Sequence, residues 1–223
     1  MRLRYGVRFA IDGDLRFVSH QDLMRLFGRA LIRARLPLRY SEGFNPHPRL
    51  SLPLPRPVGT AADDEVLVAE LTSELPAELL VRRLAEQLPD GLTVRSAALL
   101  PDGVFPQARA ATYEVDLSGP LASELPGRID ALLRQERVPV DRYRADGERV
   151  KGLDIRPYLR ELHLKGTRLT MRLGIDQRGT AKPSEVLAAL GLDAVGLMHR
   201  VRRLSADWDP PLSAGADNRV RHA

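Results

Sequence analysis

The sequence predicts an α+β chain of two tandem ferredoxin-like domains, each a βαββαβ unit with an antiparallel sheet. Three observations carry the prediction. Segments of strand period and helix period follow one another as β-α-β, β-α-β up to about residue 100; a connector holding Gly103 and Pro106 comes next; and the same order then begins again. The expected layout is residues 1–100 as the first domain, 101–110 as linker, 111–205 as a second domain with a hairpin insertion, and 206–223 as a flexible tail. A chain of 223 residues is long enough for two cores of ordinary size.

Tyr5, Val7, Phe9 and Ile11 alternate with Arg4, Gly6, Arg8 and Ala10, the period of a strand with one apolar and one basic face. Asp12-Gly13-Asp14 turns, and Leu15 to Val18 is expected to extend the strand. Ser19 then stands as an N-cap, with Asp22 three residues on able to reach back to it as in a capping box. Leu23, Leu26, Phe27, Ala30, Leu31 and Ala34 form the apolar stripe of a helix from His20 to Arg35, stopped by Pro37. A short strand at Leu38 to Ser41, a proline-rich edge at Leu50 to Pro57 and a central strand at Glu65 to Leu71 follow. Pro76 to Leu88 reads as the second helix, and Leu92 to Ala98 closes the half.

In the second half, Thr112 to Leu117 alternates as a strand, Leu121 to Gln135 is helical, and Val138 to Tyr143 is a strand. The insertion, Arg149 to Leu164, is expected to form strands about a turn near Pro157. Arg168 to Ile175 alternates cleanly, Pro183 to Leu190 is a short helix, and Met198 to Leu204 is a last strand.

Charge is spread unevenly. Residues 1–49 hold ten arginines against four acids, a net +6, which exceeds the +5 of the whole chain. A field concentrated in this way attracts polyanions. The absence of cysteine excludes disulfides, thiolate metal sites and any iron–sulfur cluster held by this chain's own thiolates. No apolar run approaches the roughly 20 residues of a membrane span, and MRLRYGVRF lacks the apolar core of a signal peptide, so a cytoplasmic protein without a membrane partner is expected.

The candidate site centres on the first helix and the loop behind it. Arg25, Arg29 and Arg33 fall four apart, placing their guanidinium groups in a row with about 6 Å between neighbours. The loop from Ser41 to Arg49 is stiffened by Pro46 and Pro48 and turned at Gly43. Its Glu42 is acidic, Asn45 and His47 can read base edges, Phe44 can stack, and Arg49 can meet phosphate. Arg4, Arg8 and Arg16, with Ser19 and His20 at the helix start, complete the expected RNA-binding set. A solvated helix face and an ordinary rigid connection explain the same residues without RNA. Lys151, Arg156, Tyr158 and Arg160 form a weaker second patch. His20 and His47 are the candidates for acid–base chemistry, since histidine titrates near neutrality. They stand 27 residues apart with no close-spaced pair, Glu42 or Asp22 being the nearest third ligand, so no metal is expected. No phosphate-binding P-loop, dinucleotide fingerprint or nucleophile elbow is present, and no cofactor is expected.

The stretches SHQDLMRLFGRAL, LPLRYSEGFNPHPRLSL and GLDIRPYLREL resemble a widespread bacterial family termed radical-SAM-linked, whose domain occurs alone or joined to the C-terminal side of a radical-SAM protein. The similarity runs to about Leu204 and is strongest from Tyr5 to Leu52. It implies an RNA-linked role, because such proteins are often encoded beside a ribonuclease E/G type of enzyme and ribosomal-protein genes. It implies no radical chemistry here, since the three cluster-binding cysteines are missing. A fainter similarity is to the CRISPR repeat-processing endoribonucleases of the RAMP superfamily, although Gly191 to Gly196 does not match their glycine-rich loop.

The resulting expectation is a non-catalytic module that binds structured RNA, tRNA or rRNA, and presents it to a partner, a radical-SAM protein or a ribonuclease E/G type enzyme. A metal-independent endoribonuclease using His20 or His47 is one alternative, and a protein–protein adaptor is another.

Overall fold

Alternation of bulky apolar residues with polar or small ones makes the first strand, β1 (Leu3–Ile11), one-sided, and its apolar side collects the core of the N-terminal unit. The computed structural model describes residues 3–117, 124–143 and 147–212, and divides the chain into two compact units, residues 1–108 with 207–223, and residues 109–206. The described residues are mixed α and β, with five α-helices and mostly antiparallel strands.

In the first unit, β1 is followed by a 3-10 helix (Gly13–Phe17), α1 (His20–Arg33), β2 (Leu50–Ser51), β3 (Ala61–Leu71), α2 (Ala77–Ala85) and β4 (Leu92–Leu99). The strand order is β4-β1-β3, with β2 on the far side of β3, and the pairs are antiparallel. Register places Arg4 opposite Glu70, Val7 opposite Leu67, and Tyr5 opposite Leu99. Tyr5, Val7, Phe9 and Ile11 pack with Leu23, Phe27 and Leu31 of α1 and Leu80 and Leu84 of α2, all of them buried. Each such side chain removed from water contributes about 1.5–3 kcal/mol. The Phe9 and Phe27 rings meet edge to face, with centroids 4.7 Å apart. The Tyr5 hydroxyl, at the end of this stripe, donates to Leu75 O at 2.8 Å and accepts from Leu75 N at 2.9 Å.

Three elements depart from the sequence reading. Leu15 to Val18 does not extend β1; Asp12 accepts from Gly13 N–H and starts the 3-10 turn instead. Leu38 to Ser41 makes only isolated bridges, Leu38 with Leu71 and Tyr40 with Pro48. The first helix ends at Arg33, because Arg35 turns to the left-handed φ of 52°.

The second unit uses β5 (Gln107–Asp116), which starts two residues before it, then α3 (Leu125–Arg134), β6 (Pro139–Tyr143), β7 (Arg149–Asp154), a 3-10 turn (Arg156–Tyr158), β8 (Leu159–Lys165), β9 (Arg168–Asp176), β10 (Gly179–Thr180), α4 (Pro183–Ala189), α5 (Ala194–Leu197), a 3-10 turn (Met198–Arg200) and β11 (Val201–Asp209). Its strand order is β8-β9-β5-β11. The insertion does not fold back on itself about Pro157: β7 pairs with β6, and β8 pairs with β9. Asp154 explains the split, because its carboxylate accepts from Val138 N–H at 2.8 Å and Arg156 N–H at 3.0 Å, ending β7 and starting the turn. The last strand runs past Leu204 to Asp209, where Trp208 is buried. Residues 121–123 of the expected third helix and 213–223 of the expected tail lie outside the described residues.

Candidate nucleic-acid interface

The start of α1 is fixed by two side chains. Ser19 Oγ accepts the Asp22 N–H at 3.1 Å and donates its hydroxyl to Asp22 Oδ2 at 2.7 Å. Asp22 therefore closes the cap through the Ser19 hydroxyl, and not through the Ser19 backbone as the capping box implied. That hydrogen bond, followed by one from Arg25 at 2.8 Å, holds the Asp22 carboxyl below its ordinary range.

Leu23, Phe27, Ala30 and Leu31 turn inward, so Arg25, Arg29 and Arg33 turn outward, and all three are exposed. They are not equivalent. Arg25 pairs with Asp22, and Arg33 donates to Gln87 O at 2.6 Å. Arg29 makes neither a hydrogen bond nor an ion pair among the described residues, and is the cation of the row most open to an external anion. His20, at the first turn, is half-buried.

Behind the helix, residues 38–51 form an irregular hairpin. Ser41 N donates to His47 O at 2.8 Å, Arg49 N to Arg39 O at 2.8 Å, and Glu70 N to Arg49 O at 2.9 Å, which docks the hairpin on β3. The hairpin is closed by Ser41 Oγ, which accepts from His47 N at 3.1 Å and lies 2.9 Å from His47 Nδ1. The same ring nitrogen lies 3.4 Å from Asn45 O, so the His47 ring is seated against both the Ser41 hydroxyl and the loop backbone. Glu42, Gly43, Phe44, Asn45 and Pro46 are the exposed tip, with Gly43 at φ 120° and the Phe44 ring wholly in solvent. An aromatic ring with no apolar neighbour is poorly placed for folding and well placed for stacking on a base.

The base of the hairpin borders an open recess of about 380 Å³ lined by Arg4, Ser41, His47, Pro48, Arg49, Leu50, Ser51, Val68, Glu70 and Phe105. It brings together four residues singled out in the sequence, Arg4, Ser41, His47 and Arg49. Glu70 and Phe105, which the sequence did not single out, are among the others in the lining. Arg4 Nε reaches Glu70 Oε1 at 3.1 Å, Arg39 Nε lies 3.9 Å from Oε2, and Oε2 is buried without a hydrogen-bond partner. The remaining arginines are elsewhere. Arg8 is only one-fifth exposed, bound to both carboxylate oxygens of Asp64, and donates to Leu212 O at 3.1 Å. Arg16 is held by Asp12 at 2.7 Å and by Gly13 O at 2.9 Å. The basic face of β1 is thus covered and ion-paired.

The second patch does not gather either. Arg156 donates to Leu133 O and Gln135 O, Tyr158 is buried with its hydroxyl 3.2 Å from Asp176, and the Lys151 side chain lies outside the described ones. Among the described residues no cluster of three histidines or acids is placed to hold a metal, and no helix is long and apolar enough to cross a membrane.

No curated protein matches the chain. A solved crystal structure described as an unknown protein from Galdieria sulphuraria is similar at 14% identity and a TM-score of 0.27, covering 93% of this chain and 98% of that one. A family model described as "Uncharacterized protein conserved in bacteria (DUF2344)" matches residues 4–183, which include the helix, the hairpin and the recess. The chain belongs to that bacterial family.

Proposed function

We propose that the chain is a non-catalytic RNA-binding module, with the arginine face of α1 and the hairpin tip as its contact surface. The observation that carries the reading is the exposed row Arg25, Arg29 and Arg33 in the segment of net +6, with Arg29 making no hydrogen bond or ion pair among the described residues. Phe44 supports it, since a fully exposed ring suits an unpaired base. The RNA is structured, tRNA or rRNA, and is presented to a partner enzyme, a radical-SAM protein or a ribonuclease E/G type enzyme. That choice of partner rests on the similarity in Tyr5 to Leu52.

A ferredoxin-like fold for each unit belongs to the same reading. The orders β4-β1-β3-β2 and β11-β5-β9-β8, with a helix after the first and third strands of each set, support it. Retention of cellular RNA by wild type and by the Arg25/Arg29/Arg33→Ala variant tests the function. The module retains RNA in a salt-dependent way, returns it uncut, and loses it in the variant. Cleavage that disappears in His20→Ala or His47→Ala would replace this reading with an endoribonuclease.

A further inference from the structure

The recess beside the hairpin is more specific than the arginine row. We propose that it takes a single unpaired guanine base, an inference that deepens the RNA reading and rests on it. The lining points there. Glu70 is the one acid in the lining, and its Oε2 is buried with no hydrogen bond among the described residues, Arg39 Nε standing 3.9 Å away. Arg4 Nε already donates to the other oxygen, at 3.1 Å. Turning about the broad terminal torsion of the glutamate offers Oε2 to the recess.

A phosphate does not suit this lining, because it brings negative charge and acceptors to a carboxylate. A nucleobase does, through an N–H edge. Guanine presents N1–H and N2–H₂ side by side for the Glu70 carboxylate, and its O6 and N7 acceptors for Arg49. Arg49 is free to serve: its Nε donates to Tyr40 O at 3.4 Å, and it makes no ion pair among the described residues. Phe105, nearly half-exposed at the rim, gives the base a stacking surface.

The test uses the full chain, labelled with ¹⁵N, titrated separately with GMP, AMP, CMP, UMP and inorganic phosphate. GMP is expected to shift amides of residues 47–51 and 68–70 and to bind about tenfold tighter than the other three, a ratio typical of one good base contact. Glu70→Gln abolishes the preference, and Phe105→Ala weakens GMP about tenfold while leaving the spectrum of the fold intact. If Glu70→Gln fails to fold by circular dichroism, Phe105→Ala decides. A parallel arm uses two RNA hairpins that differ only in one unpaired G or A, and separates a base in RNA from a free nucleotide.

Equal binding of all four nucleotides, displacement of GMP by phosphate, or no shifts at the recess would each overturn the proposal. RNA retention without a guanine preference would overturn the recess alone. GMP binding without RNA retention would overturn the RNA reading, and with it a recess that serves RNA.

Discussion

Glu70 and Arg4 sit directly opposite each other across β3 and β1, with Arg4 Nε 3.1 Å from Glu70 Oε1 and less than a fifth of either side chain exposed. A pair this covered is held by geometry more than by net Coulomb gain. Its partners also belong to the recess, so one ion pair couples the sheet to the candidate base site.

Removing one member of the pair is therefore worse than removing both. Glu70→Leu should cost about 2 kcal/mol in a urea titration, by leaving a largely covered guanidinium without its acceptor. Adding Arg4→Leu should recover most of that loss. Additive losses in the double variant would show that the two residues are not coupled.

The core contact between α1 and β1 makes a larger demand. Phe27 is fully buried and meets Phe9 edge to face, so Phe27→Ala should destabilise the protein by about 3–5 kcal/mol. Calorimetry would contradict this with a drop below about 1 kcal/mol.

Gly91 is a backbone requirement. Its φ is 90°, a Cβ there would lie 2.8 Å from Asp12 O, and its own carbonyl accepts from Asp12 N at 2.8 Å. Gly91→Ala should cost about 1–3 kcal/mol by chemical denaturation. An unchanged midpoint would mean that the turn after β1 accommodates a side chain.

The cap of α1 gives a pH signature. Asp22 titrates below its ordinary range in the folded protein, chiefly through the Ser19 hydroxyl and then Arg25. A depressed carboxyl favours the folded state above the ordinary aspartate range, and that contribution is lost as pH falls through the folded value. An NMR titration should place the Asp22 midpoint below ordinary aspartate, and Ser19→Ala should move it back up. A midpoint indifferent to Ser19→Ala would refute the assignment of the cause.

What could be read in the sequence differed sharply between elements. The helix α1 carries a cap, an apolar stripe and a following proline, three local signals that agree, and only its last two residues were misplaced. The 3-10 turn at Gly13–Phe17 has no period long enough to register. The recess was half-legible. Ser41, His47 and Arg49 stand together in a loop whose composition marks it, whereas Glu70 follows the apolar run Val66 to Ala69 of β3 and is brought in only by the Arg4 register. An acid in an apolar run was the available signal. Phe105 lay in a connector, where nothing local pointed to the rim of a recess. The basic face of β1 is not legible as covered, because Asp64 and Glu70, which pair with Arg8 and Arg4, lie far along the sequence on the neighbouring strand β3.

The most direct measurement is the salt dependence of RNA binding for wild type and the Arg25/Arg29/Arg33→Ala variant. If the row contacts phosphate, log K against log salt is steep for wild type and its slope falls by about 2–3 in the variant, roughly one for each lost cation. Identical slopes, or no binding by wild type at low salt, would contradict the claim that this face of α1 binds RNA.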